Sequence, residues 1–244
     1  MASTKHIAFF LVSSLGILAA VVGPLGFAQG AARRVALLHV PHIAVEALRK
    51  DGKTDAKFWE GEAGSTGVLL DDKGLGMVPY SEVKARWGNG KLYLWLYAAD
   101  LDVQGKVRDA DAELSGDDAF QVQIGNSGRF YAFEVNVLGT LTDAICKSRR
   151  RTPHDPMGKT CDRTWQSSAE VDVDVDGTLN QLGDKDEEWI VELTIPLDKI
   201  GRKNVKPGMR LRFSVSRCEV AYDGVRVCGS WGLGEQGGEL LLDP

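Results

Sequence analysis

One stretch limits the fold of this chain more than any other. Residues 92–98 read LYLWLYA, so that Tyr93, Trp95 and Tyr97 alternate with Leu92, Leu94 and Leu96. In an extended strand successive side chains point to opposite faces, which puts an aromatic row on one side and an aliphatic row on the other. A strand apolar on both faces is expected to be buried on both, in the middle of a sheet that packs on a second layer. Further strand patterns follow at 83–87, 119–124, 130–137, 169–175, 189–195, 211–217 and 225–231, and residues 125–128 read as a hairpin turn. Helical periodicity is nearly absent; the only helical turn expected lies at 197–200, after Pro196. This pattern predicts an all-β fold, an antiparallel β-sandwich of the jelly-roll or immunoglobulin-like kind.

The ends of the chain speak about location. In residues 1–30, Lys5 and His6 precede an apolar run over 7–27, followed by the small residues Ala28 and Gly30. This is the pattern of an export signal cleaved near Ala28. Gly16, Gly23 and Pro24 interrupt the run, and Arg33 and Arg34 follow it on the side that would have to be exported, which argues against a retained anchor. Residues 31–44 then form a lead-in that can add an edge strand, the place where Pro41 is tolerated, and residues 45–244 form one sandwich domain. The expected location is secreted, periplasmic or on the cell envelope, with no membrane span after cleavage.

Charge and cysteine usage fit that location. A net charge of −5 is wrong for nucleic acid, which needs a clustered basic surface, and the run Arg149, Arg150, Arg151 reads as a solvated loop. The four cysteines, Cys146, Cys161, Cys218 and Cys228, form an even set that reads as two disulfides in an exported chain. In RCEVAYDGVRVC, a three-residue turn Tyr222-Asp223-Gly224 sets Ala221 opposite Val225 and, counting outward, Cys218 opposite Cys228. That leaves Cys146 to close a loop with Cys161.

Several enzyme signatures are missing: the chain has no G-x-S-x-G, no H-E-x-x-H and no phosphate loop, while its many carboxylates leave a glycosidase pair open by count alone. His39 and His42 form an H-x-x-H pair with no third ligand nearby. The acidic turns are richer, since Asp100, Asp102, Asp109 and Asp117 could gather oxygen ligands for structural calcium. Among the tryptophans, Trp59, Trp95 and Trp189 sit in apolar alternation and are expected in the core. Trp231, beside a glycine-rich end, is the better candidate for an exposed ring on which a sugar could stack.

Taken in order, Asp51-Gly52-Lys53 with Trp59, residues 83–87, Lys91-Leu92-Tyr93 to Asp100, Arg108-Asp109, Asp117-Asp118, Asn136, Gly139, Asp143, Trp189 with Glu192 and Ile195-Pro196, and finally Trp231 resemble the family 9 carbohydrate-binding modules. The resemblance covers residues 45–244. It implies a sandwich related to the DOMON group, often with structural calcium, that works beside polysaccharide-degrading enzymes in polysaccharide breakdown. In sugar-binding members two tryptophans sandwich a terminal sugar; Trp231 matches the second, and Ser115 stands where the first would be. Gln121 stands in place of a carboxylate partner and Glu134 in place of an arginine, so the resemblance implies the fold more firmly than the terminal-sugar specificity. The leading expectation is an exported, non-catalytic carbohydrate-binding module using Trp231, Gln121 and Glu134, supported by Arg108 and Asp118. One alternative is a b-type haem domain of the DOMON class, for which Met77, Met157, Met209 and His154 are the available ligands. Another is an envelope interaction module without a sugar.

Overall fold

The computed structural model describes residues 35–43, 56–59, 63–77, 79–126, 128–147, 161–181, 183–220, 224–233 and 237–244. The expected export signal, the arginine run, His154, Met157 and most of the Tyr222-Asp223-Gly224 turn lie outside these residues. All described residues belong to one compact unit, Arg33–Pro244.

In chain order the described elements are β1 (Ala36–Val40), the short helix α1 (Ala56–Trp59), β2 (Gly64–Val68), β3 (Ser81–Gly88), β4 (Lys91–Ala99), β5 (Ala119–Asn126) and β6 (Arg129–Asn136). Then come β7 (Leu141–Cys146), β8 (Cys161–Asp162), β9 (Glu170–Asp176), β10 (Glu188–Pro196), β11 (Arg210–Val220), β12 (Arg226–Trp231) and β13 (Gly238–Leu242). They form two sheets. One holds eight strands in the order β1-β13-β11-β5-β6-β7-β8, with β12 also on β11, and the other holds five in the order β2-β3-β4-β10-β9. Neighbours pair antiparallel except for β1, which lies parallel to β13 at the edge. Past it, His42 bridges to Trp87, so the lead-in reaches the smaller sheet as well.

Alternation decides which residues meet between the sheets. Leu92, Leu94 and Leu96 of β4 and Trp189, Val191 and Leu193 of β10 face Phe120, Val122 and Ile124 of β5 and Tyr131, Phe133 and Val135 of β6 in one core. Burial of this apolar surface is the main driving force for closing the two layers. The expectation that β4 is buried on both faces holds only at its start. Tyr93 is buried under Phe58 and Trp59 of α1, whereas Trp95 and Tyr97 are half-buried and stack on each other with centroids 5.3 Å apart. One helical turn is too short to cover the whole row.

Several elements differ from the sequence reading. The residues 197–200 form consecutive turns rather than a helix, and the one helical turn among the described residues is α1. β2, with the sequence GSTGV, shows no strand pattern in the sequence; pairing with β3 holds it extended despite its glycines, which disfavour strands. β7, β8 and β13 were also unforeseen, being short or set beside turn residues.

Both disulfides pair as expected. Cys146 bonds Cys161 and Cys218 bonds Cys228, and Cys218 faces Cys228 in the β11–β12 register. Gly224 takes a left-handed φ of 79° at the turn between those strands, a conformation that L side chains adopt at a cost. Cys218→Ser should lower stability by about 2–4 kcal/mol. Urea midpoints that are equal for the wild type with and without reductant would contradict this.

Candidate functional site

The sequence-predicted residues fall into three places. The first lies inside the sandwich. By alternation Arg217 follows Leu211, Phe213 and Val215 onto the inner face of β11, and it is fully buried. Its guanidinium reaches the other sheet, donating to Ser81 Oγ at 3.1 Å, to the Ala99 carbonyl at 3.0 Å and to Asp100 Oδ2 at 2.6 Å. Trp189 Nε1 donates to the same Asp100 oxygen at 3.0 Å, and Glu219 lies 3.8 Å from Arg217. Asp118, also buried, accepts from the backbone N–H of Gln104 at 2.6 Å and of Val220 at 2.7 Å. Burial, and then the nearby Asp100 carboxylate, push the Asp118 carboxyl up to about 8 against the pull of those N–H groups and of Arg217. Burial likewise raises Glu219 to about 7.

The four aspartates expected at calcium are therefore spread out. Asp100 is held by Arg217 and Trp189, and Asp102 accepts from Gln104 Nε2 at 2.6 Å. Asp117 accepts from the Val107 N–H at 2.9 Å and from Asn136 Nδ2 at 2.8 Å, and Asp109 is exposed. Among the described residues, no three His, Cys, Asp or Glu side chains are grouped to hold a metal ion. This donor set does not fit a calcium site.

The second place is the outer face of the larger sheet. Gln121 and Glu134 are direct cross-strand partners there, and Ser216 Oγ donates to Gln121 Oε1 at 3.2 Å. Both Gln121 and Glu134 are at most 6% exposed, which leaves little of either for a ligand. Trp231 is not with them. It sits opposite Val215 in the β11–β12 register, on the face that turns to the core, while its neighbour Ser230 pairs with Ser216 on the outer face. The indole packs 6.0 Å from Phe213, and a Cβ on Gly238 would meet the ring at 2.5 Å, so glycine is required beneath it. Of the described methionines named for haem, Met77 is buried against Gly229, and the sulfur of Met209 accepts from the Lys206 N–H at 3.3 Å. His39 lies 3.0 Å from Asp243 and His42 packs edge-on against Trp87, so they do not form a pair of ligands.

The third place is a cleft of about 400 Å³ at the β6–β7 edge, lined by Arg108, Asp111, Gly139, Thr140, Asp143 and Gln166 among others. Its size lies within the range of about 300–1,000 Å³ typical of small-molecule sites. Arg108 is the one residue expected at a sugar that lines this opening; the sequence reading missed the rest of the cleft. Asn136 frames it, accepting from the N–H groups of Leu138 and Thr140 and donating to the Val107 carbonyl at 2.8 Å. The Thr140 hydroxyl donates to the same carbonyl at 2.7 Å. On the other wall, Gln166 Nε2 donates to Asp111 Oδ2 at 3.1 Å.

A two-layer β body with a polar edge cleft is the architecture of many ligand-binding sandwiches. No protein-family model matches the sequence, and no curated protein matches it either. Solved structures do. A Bacteroides uniformis protein described as carbohydrate-binding superposes with a TM-score of 0.55 at 14% identity, over 85% of this chain and 99% of its own. A family 9 carbohydrate-binding module from Caldicellulosiruptor kristjanssonii in complex with cellotriose gives 0.53 at 14% identity, over 85% and 93%. The same organism's family 9 module in complex with glucose gives 0.53 at 13% identity, over 84% and 95%. The chain has the fold of the family 9 carbohydrate-binding modules.

Two outcomes test the buried cluster. Arg217→Met should cost about 3–5 kcal/mol in urea unfolding, because Asp100 is left charged and unpaired in the interior, and adding Asp100→Leu should recover much of that loss. Additive losses in the double variant would contradict the pairing. Asp118 and Glu219 hold their protons more tightly folded than unfolded, rising from 3.8 and 4.5 to about 8 and about 7. The stability they confer is complete below the lower values and is lost as pH climbs through the upper ones. The melting temperature should therefore fall between pH 5 and pH 8, and Glu219→Gln should flatten the change; a rise over that interval would refute it.

Proposed function

We propose that this chain is an exported, non-catalytic carbohydrate-binding module that takes a poly- or oligosaccharide and works beside polysaccharide-degrading enzymes. The observation that carries this reading is the likeness to the sugar-bound modules, which spans 84–85% of the chain and nearly the whole of each neighbour. The export-like start and the two cross-strand disulfides support a place outside the cytoplasm. The described site residues support binding: Asn136, Thr140 and Gln166 form hydrogen-bonded frames around the cleft.

A glycan array probed with the purified mature chain, with and without calcium, tests the proposal. Binding to at least one poly- or oligosaccharide is expected, with the bound sugar recovered unchanged by chromatography. Release of shorter products from the pure protein would overturn the non-catalytic part, and a blank array would overturn the carbohydrate part.

A further inference from the structure

We infer that the glycan-contacting surface is the β6–β7 edge cleft, and that it takes a soluble saccharide by its hydroxyls, which donate to Asp143 and accept from Arg108. This rests on the carbohydrate reading above and moves the site away from the Trp231, Gln121 and Glu134 set.

Asp143 is the first observation. It lies on β7 opposite Phe133, short of the Ile145–Cys146 stretch that β8 pairs, and is only 3% exposed. One carboxylate oxygen, Oδ2, accepts from both the backbone N–H and the hydroxyl of Ser167. The other, Oδ1, is buried and has no hydrogen-bond partner, although its side chain lines the cleft. A buried acceptor left without a donor is rare in folded proteins and calls for a partner. Arg108 is the second. It is exposed at the rim and makes no hydrogen bond or ion pair with the described residues. The cleft thus offers an unmet acceptor and an unused cation on walls already fixed by Asn136, Thr140 and Gln166, and such fixed walls lower the cost of ordering on binding.

The mixture of groups selects the ligand class. Asp111 and Asp143 oppose an anion such as phosphate, and Arg108 opposes a metal ion. A neutral polyol carries donors and acceptors on the same hydroxyls and suits both. Among the described residues no aromatic ring lines the cleft, so hydrogen bonds rather than stacking are to hold the sugar. That favours a soluble oligosaccharide entering the opening over the flat surface of an insoluble fibre.

Calorimetric titration of the purified mature chain with glucose and with soluble cello-, xylo- and manno-oligosaccharides, alongside depletion on insoluble cellulose, provides the test. The wild type should bind at least one soluble sugar, and Arg108→Ala and Asp143→Asn should each weaken it about ten- to hundredfold. Because Asp143 also holds Ser167, its variant can lose stability; Arg108 is exposed, and Arg108→Ala should keep the wild-type melting temperature. Wild-type affinity in folded Arg108→Ala and Asp143→Asn would overturn the cleft and leave the carbohydrate reading standing. Retention on insoluble cellulose with no soluble binding would do the same. Failure to bind either kind of sugar would remove both.

Discussion

The contact between Arg217 and Asp100 is the point on which the two layers depend. Apolar packing pulls the sheets together but says little about how far one may slide along the other. A guanidinium fully buried on β11 that must find Ser81, Ala99 and Asp100 on the opposite layer tolerates almost no sliding. Removing a charge from water is costly, and only near-complete pairing offsets it. The cluster therefore specifies the alignment of the layers more than it adds to their net stability. Trp189 joins it by donating to Asp100 while its ring packs at 5.1 Å on Phe120, so the polar and apolar parts of the core are one unit.

That alignment carries through to the surface. Asp100 closes β4 and begins the long connection to β5; Asp118 ends it, tied to Gln104 near its start and to Val220 on β11. Between them Val107 is held from two sides, its N–H by Asp117 and its carbonyl by Asn136 and Thr140. Arg108 is the next residue. The cation at the cleft rim is thus placed by a chain of contacts that starts in the core, which is how a loop residue comes to be rigidly supported without being buried.

The sequence reveals this architecture unevenly, for physical reasons. Period-2 alternation marks β3, β4, β5, β6, β9, β10 and β11 because one face of each must be apolar, and the turn chemistry around Gly224 is enough to set Cys218 against Cys228. β2 escapes notice because its residues have low strand propensity and its conformation comes from its partner. Arg217 looks like an exposed charge at the end of a strand, since nothing local shows that Asp100, far away in the chain, will meet it. The candidate site suffers from the same blindness. The acids around 100–118 look like cation ligands when counted along the chain, yet Asp100, Asp102 and Asp117 are taken by different donors once the strands close, and Asp109 is exposed. Trp231 looks exposed beside its glycines, but Gly238 is small so that the indole can lie over it against Phe213.

A fold kept at 13–14% identity follows from what a sandwich requires. A sandwich needs only the right face to be apolar, a condition that many side chains satisfy. A sugar site needs particular donors and acceptors at fixed positions, so a few replacements abolish it. Here Gln121 and Glu134 are cross-strand neighbours and almost fully buried, which leaves little of either for a ligand. Binding groups can then persist only where the backbone stays open yet held, and in the described residues the edge of the larger sheet beside Asp143 meets both conditions.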